Sequence, residues 1–131
     1  WPLVLPNFQE QRMKPQFTPG NNMAMKIPSH EYQATLAFYR EVLALKEITS
    51  PEPGSTPRFA FGDKTLWLDK VATISQAEIW LEIVTDNPQA AAEYFNKAGI
   101  QRCDDIEPLP ADFKGFWITS PSNIIHLLSS Q

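Results

Sequence analysis

Few side chains in this sequence could act as an acid, a base or a nucleophile near neutral pH. The candidates are His30, His126 and Cys103. His126 lies in an apolar segment, where its imidazole could accept a ligand hydrogen bond, transfer a proton or simply be satisfied by a neighbouring group. His30 falls in a turn and is expected to be exposed. A nucleophilic role for Cys103 requires a nearby base, and a packing thiol is the simpler interpretation.

Tryptophans alternate with carboxylates in two segments of the chain. Asp69 follows Trp67 by two residues, and Glu82 follows Trp80 by the same step. Because side chains alternate between the two faces of a strand, each indole is expected to share a face with its carboxylate. Flat rings with carboxylates suit a planar, apolar or cationic organic molecule, through stacking and cation–π contact. The alternative is that both tryptophans fill a closed core.

The first of these segments belongs to a predicted βαβββ unit. A strand over 23–27 leads into a helix whose apolar residues recur at steps of three and four, with Ser29 as the candidate N-cap. Further strands are predicted over 46–49, 58–61 and 65–71. Gly62-Asp63-Lys64 between the last two favours a hairpin turn.

The second segment belongs to a repeat of that unit. A strand from Glu78 precedes a helix over 89–98, for which Asp86 or Asn87 is the predicted cap and Gly99 the predicted end. Strands are predicted over 100–103, 115–119 and 123–129. The repeat also appears in spacing, since Ala24 precedes Phe38 by fourteen residues and Trp80 precedes Tyr94 by fourteen. The sequence therefore predicts an α+β fold of two βαβββ modules, over 23–71 and 78–130, forming curved mixed sheets around a cavity.

Residues 1–22 differ in composition from the rest of the chain. They contain four prolines, which disfavour a long helix or a central strand, together with several large apolar side chains. We predict an extended, proline-rich arm ahead of a single domain over 23–131. The arm either lies across the domain or a second subunit, or it is a disordered leader.

Charge and cysteine content limit the classes of partner and compartment. With 131 residues and a net charge of −4, the chain has the size of one domain and lacks the basic footprint that nucleic acid requires. The single cysteine excludes an intrachain disulfide and fits a reducing, cytosolic location. No apolar run reaches the roughly 20 residues that span a bilayer, so no membrane association is expected. The first residues lack the features of a secretory signal.

Two motifs together carry a family resemblance. Leu36-Ala-Phe-Tyr-Arg-Glu-Val-Leu-Ala-Leu-Lys resembles the first-module helix of the vicinal oxygen chelate superfamily, with Ala44 in place of the usual glycine. Gly115-Phe-Trp-Ile-Thr-Ser-Pro-Ser-Asn-Ile-Ile-His-Leu is similar to the closing hairpin of that superfamily. Ser120 replaces the usual aspartate there, and the turn glycine is missing. The superfamily includes glyoxalase I, bleomycin-resistance proteins, fosfomycin-resistance enzymes and extradiol dioxygenases.

The resemblance also implies where a metal would be bound. Metal-dependent members place ligands on the first and last strands of each module, and a divalent ion there holds two vicinal substrate oxygens. The first-strand positions fall on Ala24 and Trp80, and the last-strand positions fall on Trp67 and His126. Only His126 offers a donor atom. We therefore expect neither a metal nor another cofactor.

These observations lead to a functional hypothesis with two rivals. The chain is predicted to be a cytosolic, metal-free binding protein similar to the bleomycin-resistance branch. It would hold a small planar or cationic organic molecule, and the resemblance implies a homodimer. The rivals are a metal-dependent lyase, isomerase or dioxygenase with a site completed across a dimer, and a structural or interaction module with a filled core. The residues predicted to bind the ligand are Lys26, Trp67, Asp69, Trp80, Glu82, Trp117 and His126.

Overall fold

The computed structural model describes residues 14–131, in which seven strands form one mixed sheet and two helices pack against it. The first helix, Ser29–Ala37, continues directly into a π-helical turn, Phe38–Val42. No helix in the described residues is long and apolar enough to cross a membrane. In chain order the elements are β1 (Phe17–Pro28), α1 (Ser29–Ala37), β2 (Arg58–Phe61), β3 (Lys64–Val71), β4 (Glu78–Thr85), α2 (Pro88–Lys97), β5 (Gln101–Arg102), β6 (Gly115–Thr119) and β7 (Ile125–Ser130).

The two predicted modules share this sheet. Its strand order is β2-β3-β1-β4-β7-β6-β5, and the modules meet where β1 pairs with β4 in antiparallel orientation. The predicted α+β class with two repeated units is confirmed, although the two modules form one continuous sheet instead of separate sheets. The strand predicted over 46–49 is reduced to a single bridge between Glu47 and Phe59. Three prolines in 51–57 keep this pairing from continuing beyond Thr49, because proline cannot donate to a strand ladder.

Both helices cover the same face of the sheet. Met25 packs in the apolar cluster under α1, and Ile83 packs in the cluster under α2. Met25 of β1 pairs with Ile79 of β4, so these two side chains share a face. Ile83 lies four residues after Ile79 and therefore points to the same face. The two clusters thus lie on one side of the sheet. The opposite face carries Ala24, Lys26, Trp67, Asp69, Trp80 and Trp117, and a loop over 103–114 folds against part of it.

Several local predictions are confirmed and one is wrong. The side chain of Asn87 accepts a hydrogen bond from the Ala90 amide at 3.0 Å, so Asn87 caps α2. Gly99 follows that helix with φ 76°, a conformation that glycine adopts without cost. Ser29, in contrast, does not cap α1. Pro28 occupies the cap position, with the extended backbone that proline favours, and no side chain bonds the first turn.

The predicted arm over 1–22 is too long, because β1 begins at Phe17. β3 pairs with β1 only from Asn22 onward, so the preceding residues pair on one side alone. Pro19 can therefore sit in β1 without interrupting a second ladder. Phe17 packs its ring on Phe95 of α2, with centroids 5.2 Å apart. The part of the arm over 1–13 lies outside the described residues.

The alanine that replaces the usual glycine after α1 gives a first testable prediction. Ala44 adopts φ 51°, a left-handed conformation that costs an alanine about 1 kcal/mol. Ala44→Gly is expected to raise the free energy of unfolding by about 0.5–1 kcal/mol in urea titrations. Ala37→Gly is the matched control, because Ala37 has a helical φ of −62° and should lose stability instead. Equal effects of the two substitutions would contradict the prediction.

Candidate ligand-binding site

A buried lysine lies at the centre of the helix-free face. The Nζ atom of Lys26 is 2.6 Å from Oδ2 of Asp69 and 3.1 Å from Oε1 of Glu107, and the lysine side chain is only 6% exposed. Lys26 and Asp69 are direct cross-strand partners of β1 and β3. The same ammonium lies 4.1 Å from the centre of the Trp80 ring. Two carboxylates and one aromatic face therefore compensate the burial of this charge.

Two tryptophans pack together beside this lysine. The rings of Trp80 and Trp117 meet edge to face with centroids 5.3 Å apart. Nε1 of Trp117 donates to the backbone oxygen of Glu107 at 2.9 Å, and Nε1 of Trp80 donates to Glu78 at 3.1 Å. The only polar group of each indole, its N–H, is thus hydrogen-bonded within the protein. Together with Lys26, the pair occupies the middle of the helix-free face, where β1 and β4 pair.

The third tryptophan of this face has a different environment. Trp67 is half-buried, and its Nε1 donates to Oδ1 of Asn22 at 2.8 Å. The guanidinium carbon of Arg58 lies 3.9 Å from the centre of the Trp67 ring. Nε of Arg58 donates to the Thr56 backbone oxygen, and within residues 14–131 this guanidinium forms no ion pair. Trp67 thus presents an aromatic surface next to a positive charge that lacks a carboxylate partner in the described residues.

An open cleft of about 610 Å³ lies beside these groups, between β3 and the loop over 54–57. Its volume is within the range of sites for small organic molecules. Of the predicted ligand-binding residues, Lys26, Trp67 and Asp69 line it. Trp80 and Trp117 do not line it, but Trp80 contacts Lys26 and Trp117 contacts Trp80 on the same face of the sheet. Glu107 and Tyr32 also line the cleft. Burial and the nearby Asp69 raise the pKa of the Tyr32 phenol, so it stays protonated and donates to the Leu68 backbone oxygen at 2.9 Å.

Glu82 shares the helix-free face with Trp80, as alternation predicted, but it does not line the cleft. Its carboxylate accepts hydrogen bonds from the backbone amides of Asn21 and Asn22, at 2.9 and 3.2 Å, and from the Ser129 hydroxyl at 3.3 Å. These amides lie where the register of β1 against β4 shifts between Pro19 and Met23. Glu82 therefore stabilises an irregularity of β1, where amides would otherwise lack acceptors.

The prediction that His126 faces the cavity is wrong. Its Cα pairs with Leu81 and Ile118, which place it on the helix-covered face, while Leu127 shares the opposite face with Trp117. The reason lies in the turn before β7. Asn123 adopts φ 63°, the left-handed conformation suited to the usual glycine, so no residue is missing from the turn. The register of β7 therefore differs by one residue from the predicted one, and His126 moves to the other face. Nδ1 of His126 donates to the Ile124 backbone oxygen at 2.9 Å.

The four positions at which the family resemblance implies metal ligands are, in the observed register, Ala24, Trp67, Trp80 and Leu127. An indole or an aliphatic group offers no lone pair to a divalent ion. Among residues 14–131, no group of three or more His, Cys, Asp or Glu is arranged to hold a metal. Burial raises the pKa of the Cys103 thiol, and Asp104 adds to the effect, so a thiolate nucleophile is disfavoured as well.

Sequence analysis missed Glu107 and Tyr32, which line the cleft, and Arg58, which lies over the Trp67 ring. The acidic segment Asp104-Asp105-Ile-Glu107 was the available signal for the first, because such a cluster either forms a solvated turn or attracts a cation. The cation turns out to be Lys26 of the same chain. Arg58 precedes Phe59 in a short strand, and no pattern in the sequence places it over Trp67.

No protein-family model matches this sequence, and no curated protein matches it. Solved structures do match. The Mn(II)-bound glyoxalase from Novosphingobium aromaticivorans aligns at a TM-score of 0.61 and 17% identity over 88% of this chain. A glyoxalase/bleomycin resistance/dioxygenase superfamily member from Vibrio splendidus gives 0.58 and 10% over 87% of this chain. A variant of homoprotocatechuate 2,3-dioxygenase from B. fuscum gives 0.58 and 15% over 90%.

The chain has the vicinal oxygen chelate fold. The predicted resemblance is thereby confirmed for the fold. Within this fold the chain spans all of the Vibrio protein, but only 40% of the glyoxalase and 33% of the dioxygenase. One fold can host different chemistries, so the fold leaves the function open and the residues of the site decide it.

Proposed function

We propose that this protein binds a small planar organic molecule without a metal, in the cleft beside Trp67. One observation carries the proposal. The positions that correspond to metal ligands hold indoles and aliphatic groups, while the adjacent cleft combines an aromatic surface with polar groups, as binding sites for organic molecules do.

The arrangement of charges supports a planar ligand over a cationic one. Lys26 already lies against the Trp80 ring, and Arg58 lies against the Trp67 ring. A second cation at either indole would meet like charge at close range, which costs free energy in a partly desolvated site. A flat ring, in contrast, can stack on the indole or on the planar guanidinium.

A homodimer and a cytosolic location belong to the same proposal. Exposed apolar side chains near the end of α1 would favour self-association, since Phe38, Val42 and Leu43 are 44%, 73% and 46% exposed. Light scattering should give twice the mass of the chain, and Val42→Asp should halve it. A monomeric mass at micromolar concentration would remove dimerisation from the proposal without affecting the cleft.

A structural or interaction module is the second candidate, because Trp80, Trp117 and Lys26 fill the middle of the helix-free face. The two candidates differ in what the open cleft does. A module of this kind would bind no compound there, whereas the favoured function requires saturable binding that depends on Trp67.

Calorimetric titration with a panel of two-ring aromatic compounds tests the proposal. We expect saturable binding of at least one compound at 1:1 stoichiometry, and Trp67→Leu should weaken it about tenfold because a stacked ring pair contributes about 1–1.5 kcal/mol. Tyr94→Leu is the control, since Tyr94 lies on α2 and is exposed. Equal loss in both variants, or no binding at all, would favour the structural module.

Metal analysis separates the proposal from a metalloenzyme. After incubation with Mn(II) or Zn(II) and dialysis, we expect less than stoichiometric metal and no turnover that chelation removes. One tightly held ion per chain, with activity lost on chelation, would overturn the metal-free proposal.

A further inference from the structure

We propose that the ligand of this cleft is an aromatic carboxylate, and that its carboxylate replaces Glu107 as the second partner of Lys26. This inference rests on the proposed function, since it specifies what the cleft would bind. The observation behind it is that the two carboxylates around the lysine are held very differently.

Asp69 is the fixed partner of the lysine. It is the direct cross-strand neighbour of Lys26, its contact is 2.6 Å, and its side chain is 25% exposed. Glu107 is the exchangeable partner. It comes from the loop over 103–114, which contains no helix or strand, its contact is 3.1 Å, and its side chain is 47% exposed. A half-exposed carboxylate can rotate into water and be hydrated there, whereas the buried ammonium requires a replacement.

A ligand carboxylate supplies that replacement without changing the local charge. Lys26 would keep two anionic acceptors, so the buried cation stays compensated throughout the exchange. A neutral ligand cannot substitute for Glu107 in this way. A cationic ligand would have to displace Lys26 itself, whose side chain is only 6% exposed.

The distance between the lysine and Trp67 favours a ring attached directly to the carboxylate. Trp67 pairs with Ala24, which precedes Lys26 by two residues on the same face of β1. Two residues along a strand span about 7 Å, which is close to the distance from a carboxylate carbon to the far carbon of a fused two-ring system. A ring anchored at Lys26 would therefore extend to Trp67.

Arg58 adds to the preference for an anionic ligand. Its guanidinium lies over Trp67 and forms no ion pair within the described residues. A guanidinium stacks well on an electron-rich aromatic ring, so the ring of a bound carboxylate would meet a favourable surface on this side. The cleft thus offers Lys26 for the carboxylate, and Arg58 lies beside the cleft, over the ring of the lining residue Trp67.

The test compares 2-naphthoate with 2-naphthamide by calorimetric titration of the full chain. Wild-type protein is expected to bind the carboxylate at least tenfold more tightly than the amide. Glu107→Gln removes the internal competitor and should tighten binding of 2-naphthoate about tenfold while leaving that of 2-naphthamide unchanged. Asp105→Asn is the matched control, because it removes an equal charge from the same exposed loop and should change neither affinity by more than about twofold.

Lys26→Met should abolish the preference for the carboxylate. Should that variant fail to fold, the comparison of Glu107→Gln with Asp105→Asn still decides the matter, since both changes are at exposed side chains. Equal tightening in those two variants, or none in either, overturns the exchange. Binding of 2-naphthamide as tightly as 2-naphthoate would refute the inference and leave the proposed function intact. Absence of binding by both compounds overturns the inference, while the wider compound panel then decides the proposed function.

Discussion

Gly115→Ala is expected to lower the free energy of unfolding by more than about 3 kcal/mol, because the new methyl group has no space. Gly115 begins β6 and pairs with Ser129 of β7. A Cβ atom at this position would overlap the backbone oxygen of Leu128 and the ring of Phe113. The Phe113 ring is partly exposed and can rotate, but the Leu128 carbonyl cannot move alone. Leu128 is fully buried in the cluster under α2, so moving its backbone disturbs that core.

Urea unfolding monitored by tryptophan fluorescence measures this effect. Gly54→Ala is the control, since a Cβ there meets open space and only the positive φ of 79° opposes it. That strain should cost about 1 kcal/mol. If Gly115→Ala destabilised the protein no more than Gly54→Ala, the result would contradict the close contact between Gly115 of β6 and Leu128 of β7.

The features that sequence analysis predicted correctly depend on short stretches of chain. The hairpin between β2 and β3 needs only Gly62 and its neighbours, and the start and end of α2 need only Asn87, Pro88 and Gly99. The repeated unit could be predicted for the same reason, because the spacing of apolar residues that indicates strands and helices appears in both modules. Such signals act through nearest neighbours, so one sequence is enough to detect them.

The composition of the site was less predictable, because it depends on contacts between distant residues and on register. The Lys26–Glu107 pair joins residues 81 positions apart, and Glu82 bonds an amide 61 positions away. His126 was misplaced by the conformation of a single turn residue, Asn123. Since strand side chains alternate, an error of one position moves a residue to the other face of the sheet. The face on which Lys26, Trp67 and Asp69 lie was predicted correctly, because β1 and β3 pair there without interruption.

The second large effect is expected at Lys26, whose removal leaves two carboxylates close together without their cation. Lys26→Met keeps most of the aliphatic stem but loses both charge-assisted contacts and the contact with the Trp80 ring. Breaking a buried pair from one side can cost about 3–5 kcal/mol. Since Asp69 and Glu107 are partly exposed and can be hydrated, we expect a loss of about 2 kcal/mol.

A double-mutant cycle shows whether that loss comes from the unpaired charge. In the Lys26→Met background, Asp69→Asn should recover about 1 kcal/mol, whereas in the wild-type background the same change should destabilise the protein, because it weakens the compensation of a buried ammonium. Lys70→Met is the matched control, since Lys70 is exposed and should change stability by less than about 0.5 kcal/mol. The sign of the Asp69→Asn effect must therefore reverse between the two backgrounds. If it were destabilising in both, the ion pair would not be the interaction that holds β1, β3 and the loop over 103–114 together at the cleft.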